Sequence, residues 1–190
     1  MSRYHNAIHS PVFPSQVSSY SSLSGALAPP PSQFANPRRR RVPQNICKMS
    51  SGPICAPISF DYIGQAGQGV SLADFSARSQ NAISQLVAGA NDQVLAGSGI
   101  NKINLRIMWT GYEHLNFIQS MPASSAMSRG QLGASIAMQF WSFVGMAQKS
   151  PTTNPQWEIN QVKIPFERIV LVALHSIGDG IWQADVAVDF

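Results

Sequence analysis

The sequence predicts a mainly β protein: an antiparallel β-sandwich of the jelly-roll kind, with one or two inserted helices, behind a disordered basic N-terminal arm. Three observations predict it. From Ile58 onward, six or seven short strand-like runs are separated by turn signals, without the strand–helix–strand rhythm of a parallel sheet. The closing run from Ile181 to Phe190 alternates strictly, placing Trp182, Ala184, Val186, Val188 and Phe190 on one side and Asp185 and Asp189 on the other. The first 57 residues are instead broken by prolines from Pro11 to Pro57 and by serine clusters such as Ser18-Ser19 and Ser21-Ser22, and lack the apolar periodicity that would offset the entropy of ordering. The expected division is therefore an arm, residues 1–57, and one folded domain, residues 58–190, long enough to bury its own core.

In the domain, Ile58 to Ile63 is the first expected strand, followed by the glycine-rich turn Gly64 to Gly69. That turn lacks the lysine and hydroxyl residue of a phosphate-binding loop, and its glycine spacing does not match a dinucleotide fingerprint, so it reads as a loop. Ser71 and Asp74 open a helix whose apolar positions Leu72, Phe75, Ile83 and Leu86 recur at near-helical spacing up to Gly89. Lys102 to Thr110 changes to a period of two, with Ile103, Leu105, Ile107 and Trp109 facing one way, as a half-buried strand requires. Leu115 and Phe117 extend that pattern after Gly111.

The stretch from Gln131 to Ala147 suits either period, but Ser128 and Gln131 form a capping-box pattern that tips the reading toward a helix. After the breaker stretch Ser150 to Pro155, three strands are expected: Trp157 to Ile164, the apolar run Phe166 to His175, and Ile181 to Phe190. The sequence Ile177-Gly178-Asp179-Gly180 is a hairpin signal between the last two.

Charge divides the chain more sharply than hydrophobicity does. The first 60 residues hold 6 basic side chains and no acidic one: Arg3, Arg38, Arg39, Arg40, Arg41 and Lys48. The remainder holds 7 basic and 9 acidic residues, which leaves the whole at +4. Clustered guanidinium groups on an unstructured segment bind polyanions, because they form bidentate hydrogen bonds with phosphates and release counterions. Four phosphates neutralised on a single strand correspond to a log–log salt slope of roughly −3. Pro37 to Pro43 also fits a nuclear localisation signal. Charged residues make up only 12% of the chain, about half the usual share, so the domain is expected to cover much of its surface with copies of itself.

Chemistry-bearing constellations are thin. Glu113 and His114 are adjacent and would point to opposite faces of a strand; His175 and Asp179 bracket a turn; no nucleophile elbow, zinc-protease or Cys-x-x-Cys motif occurs. Cys47 and Cys55 have no histidine near enough to complete a zinc-ligand set and read as free thiols of a reducing compartment. Asp179, Asp185 and Asp189 could offer oxygen ligands to an interface calcium, but read first as the solvated face of an edge strand. We therefore expect no catalytic residue, no metal site and no cofactor. No apolar stretch is long enough to span a bilayer, and no signal-peptide core follows Met1. The first 37 residues are, however, serine-rich, acid-free and contain Arg3, the composition of an organelle transit peptide.

The Ser/Pro-rich arm with Arg38 to Arg41, the strand Lys102 to Thr110 and the closing segment Phe166 to Phe190 together resemble the coat proteins of small plant RNA viruses. The likeness is to the Bromoviridae, the bromovirus, ilarvirus, alfamovirus and oleavirus group, with ourmiavirus coat proteins next. This resemblance implies a jelly-roll shell domain that self-assembles into a capsid, with the arm lying on packaged single-stranded genomic RNA. RNA contacts would fall on Arg38, Arg39, Arg40 and Arg41, with Lys48 and Arg3. It also implies residence in the virion and the host cytoplasm, with nuclear entry through the arginine cluster. The alternative reading is a non-viral nucleic-acid-binding protein, organelle-targeted through a cleavable N-terminal transit peptide.

Overall fold

The computed structural model describes residues 36–44 and 55–190, which form a mixed α/β arrangement built on one seven-stranded sheet. Its strands are β1 (Arg39–Arg41), β2 (Ile58–Ser59), β3 (Val70–Ser71), β4 (Lys102–Arg106), β5 (Ile118–Pro122), β6 (Ile169–Gly178) and β7 (Ile181–Asp189). The helices are α1 (Leu72–Ala77), α2 (Gln80–Leu86) and α3 (Arg129–Ala147). The long hairpin of β6 and β7 is the spine. Both β2 and β3 pair with the outer edge of β6, while β1 and β4 share the outer edge of β7, and β5 pairs with β4. Only β4 and β7 run parallel; every other pairing is antiparallel.

The spine follows from its sequence. β6 is an almost unbroken apolar run, buried on both faces from Ile169 to Leu174. β7 sends Trp182, Ala184, Val186 and Val188 to the core, as their alternation requires. Between them, Asp179 and Gly180 both adopt left-handed backbone, φ 51° and 70°, the conformation of a two-residue hairpin whose twist matches its strands.

The expected second sheet is not found among the described residues: the layer over the core face is helical. α3 starts on the capping box, with the Ser128 hydroxyl accepting from the Gln131 amide and the Gln131 side chain accepting from the Ser128 amide. Leu132, Ile136, Phe140 and Phe143 then recur on its inner face and are fully buried. Phe143 meets Trp109, Tyr112, Phe117 and Phe140 at ring-centroid distances of 5.5 to 6.5 Å. Gly133 lets α1 approach: a Cβ there would lie 2.4 Å from the Phe75 ring.

Four further expectations are corrected. The single helix from Ser71 to Gly89 is two helices, because Arg78 is extended and the Ser79 hydroxyl accepts from the Ala82 amide to cap a new start. The expected strand at Leu115–Phe117 is a 3-10 turn at Glu113–Leu115 followed by left-handed Asn116, with β5 starting at Ile118. The segment Trp157 to Ile164 is not a strand: the Asn160 carboxamide oxygen accepts from the Val162 and Lys163 amides, turning the chain. Its alternating pattern still reports burial, since Trp157 and Ile159 are inside, held by the Trp109 indole donating to the Trp157 carbonyl and the Ile159 amide donating to the Tyr112 hydroxyl.

Finally, residues 36–44, expected within the arm, join the sheet. The rest of the expected arm, with Arg3, Cys47 and Lys48, lies outside the described residues. Among the described residues no helix is long and apolar enough to cross a membrane.

Candidate nucleic-acid interface

The arginine run enters the sheet as β1, antiparallel to the closing strand, with Arg39 opposite Asp189, Arg40 opposite Val188 and Arg41 opposite Ala187. Strand alternation then sorts the four arginines. Arg39 and Arg41 fall on the face away from the helices. Arg40 projects the other way, its guanidinium carbon 5.4 Å from the centroid of the Phe190 ring. Arg38 precedes the strand in a turn whose backbone amide donates to the Asn36 side chain.

On the sheet face, Arg39 meets Asp189 side-on: Nε donates to Oδ1 at 2.6 Å and Nη2 to Oδ2 at 2.7 Å. Its Nη1 also donates to the Gln68 carbonyl at the end of the glycine-rich loop. That loop is a set of turns: Gly64, Gly67 and Gly69 all have positive φ, and a Cβ on Gly69 would stand 2.7 Å from the Leu171 carbonyl oxygen.

Arg41 reaches diagonally along β7 to the Asp185 carboxylate. Asp185 is 5% exposed, and burial pushes its carboxyl above the usual carboxylate range, opposed by the Arg41 charge. The solvated acidic face expected for the last strand is therefore a pair of carboxylates each held by an arginine.

Beside these pairs a polar row crosses three strands. His175 on β6, Gln183 on β7 and Arg106 on β4 stand directly opposite one another. The Gln183 amide donates to the Gln44 side chain at 2.7 Å. The Gln183 Oε1, His175 Nε2 and Arg106 Nε atoms have no hydrogen-bond partner among the described residues. Burial, with the nearby Arg41 charge, pushes the His175 pKa down to about 4, so the ring is neutral at physiological pH.

The arrangement leaves Arg38 and Arg40 exposed and without a carboxylate partner among the described residues, while Arg39 and Arg41 are neutralised. Of the remaining candidates, the Glu113 carboxylate accepts from the Gly111 amide at 3.0 and 3.1 Å and so organises its own turn, with His114 exposed beside it. His175 lies on the polar sheet face opposite Gln183, while Asp179 forms the hairpin turn. No three His, Cys, Asp or Glu side chains gather as a metal would require among the described residues. Cys55 is a partly buried free thiol against the core.

Sequence reasoning missed Asp185 and Asp189 as partners of the arginines. The signal was present in the closing strand's alternation, which puts both carboxylates on one face, but nothing local said which strand would lie beside it. Comparison of the chain with protein-family models, with curated proteins and with solved structures finds no match.

Proposed function

We propose that the chain is a structural protein that assembles with copies of itself into a capsid-like shell and packages single-stranded RNA. The observation that carries this reading is the pair of exposed arginines without a carboxylate partner among the described residues, Arg38 and Arg40, where a leading segment without a single acidic side chain meets the sheet. Such a segment attracts polyanions through charge alone, and contacts to phosphates carry no sequence information, so binding is largely sequence-tolerant.

The assembly half of the proposal draws on α3. Its outer face exposes Met138, Trp141 and Met146, at 65%, 61% and 45%, along a stretch from Gly130 to Gln148 that contains no charged residue. Exposed apolar side chains on an uncharged helix favour burial against another protein surface. The tile would be the single sheet with its helical layer, in place of the two-sheet jelly roll of the coat proteins that the sequence resembles.

Sedimentation of protein purified from cells tests both halves together. Particles of megadalton size that protect RNA from nuclease are expected. A species of a few tens of kilodaltons free of RNA would remove the shell, and a small species that retains RNA would leave a non-assembling nucleic-acid-binding protein.

A further inference from the structure

Half of the arginine run is already occupied by the protein's own carboxylates. Asp189 presents two oxygens to the guanidinium edge of Arg39, and Asp185 offers one to Arg41, the same donor–acceptor chemistry that a phosphate diester supplies. We infer that β1 is an exchangeable phosphate-binding strand: Arg39 and Arg41 pair with Asp189 and Asp185 in the free protein and transfer to phosphates of single-stranded RNA as β1 leaves the edge of β7. This inference rests on the RNA-binding reading and adds its regulation.

The strand is built to detach at modest cost. It is three residues long, it sits at a sheet edge between Pro37 and Pro43, and Val42 is the only fully buried side chain in residues 36–44. It shares the β7 edge with β4 end to end, β4 pairing at Ile181–Gln183 and β1 at Ala187–Asp189, so its departure leaves the β4–β7 pairing in place. The exposed Arg38 and Arg40 flank and interrupt the paired arginines, so a strand of phosphates captured by the first pair is delivered beside the second.

A threshold is also present. Asp185 is 5% exposed, so losing Arg41 leaves a carboxylate that must be rehydrated. One phosphate does not offset that cost; several held together on a polyanion do.

The test uses the full chain and a short oligouridylate, comparing the natural protein with Asp185→Asn/Asp189→Asn and with Asp189→Asn alone, whose side chain is partly exposed. With the competing carboxylates gone, affinity at low salt is expected to rise at least several-fold in the double variant. Its log–log salt slope should stay close to that of the natural protein, since both complexes place the same guanidinium groups on phosphates, at about 0.7 each on a single strand. In the natural protein, adding the oligonucleotide should speed hydrogen exchange of the Phe190 amide, which donates to the Arg38 carbonyl at 3.2 Å. Equal binding by all three proteins, with a Phe190 amide still protected, would overturn the exchange and leave RNA binding standing. Absence of binding from all three would remove the RNA reading itself, and the exchange with it.

Discussion

Arg39 and Asp189 stand directly opposite one another on β1 and β7, and the guanidinium donates two hydrogen bonds, 2.6 and 2.7 Å long, to the two carboxylate oxygens. The pair joins the first described strand to the last, and with Arg41–Asp185 it divides a run of four like charges into two that are neutralised and two that are not.

That division separates the arginines that also hold the fold from those that do not. Arg41→Ala is expected to destabilise the fold by about 2 kcal/mol, less than the roughly 3–5 typical of a broken buried pair because Arg41 itself stays about one-third exposed. Arg38→Ala/Arg40→Ala should leave urea unfolding nearly unchanged, yet reduce oligonucleotide affinity and flatten its salt slope by roughly 1.4. Equal effects of the two variants in both assays would contradict the sorting of the four arginines.

The pH dependence follows from His175. Its pKa is depressed to about 4 in the folded protein, while the unfolded chain titrates near 6.5, so the unfolded state binds more protons between these values. The group's stabilising contribution is therefore complete above about pH 6.5 and is lost as pH falls toward 4. The loss should be about 2 kcal/mol, after allowing for solvent screening of a ring that is only partly buried. Asp185 acts in the opposite sense, since its raised folded pKa favours the folded state as pH falls. Urea midpoints between pH 7 and 4.5 should fall less steeply in His175→Gln than in the natural protein; a parallel fall would assign the acid sensitivity elsewhere.

Two glycines in the same helix should respond with opposite sign. Gly133→Ala drives a methyl to 2.4 Å from the Phe75 ring and should cost about 1–3 kcal/mol. Gly145→Ala meets nothing within 4 Å and should stabilise the protein by roughly 0.5–1 kcal/mol through helix propensity. Thermal unfolding of the two variants measures this directly, and a stabilised Gly133→Ala would mean that α1 and α3 do not pack as described.

The assembly surface is open to a similarly direct check. Met138→Ser/Trp141→Ser changes two side chains that are more than half exposed, so it should cost no more than about 2 kcal/mol, mostly from the Trp141–Phe166 ring contact, and leave a folded protein that fails to form particles. Normal particles from this variant would place the subunit contacts elsewhere.

By itself the sequence determined what local periodicity and capping can determine. Burial alternates along Ile103, Leu105, Ile107 and Trp109, the capping box at Ser128 starts α3, and Asp179-Gly180 turns the β6–β7 hairpin, because each depends on residues only a few positions apart. The same reasoning took the alternation of Trp157 and Ile159 for a strand, since burial and backbone pairing leave one trace in sequence while the Asn160 turn decided between them. It also expected a second sheet where α1, α2 and α3 form the covering layer, because an apolar strand face specifies that it is covered but not by what. Only the tertiary structure decided the state of the arginine run. Arg39 and Asp189 are 150 positions apart, and which charges are neutralised depends on the register of β1 against β7, a property of two strands that neither carries alone.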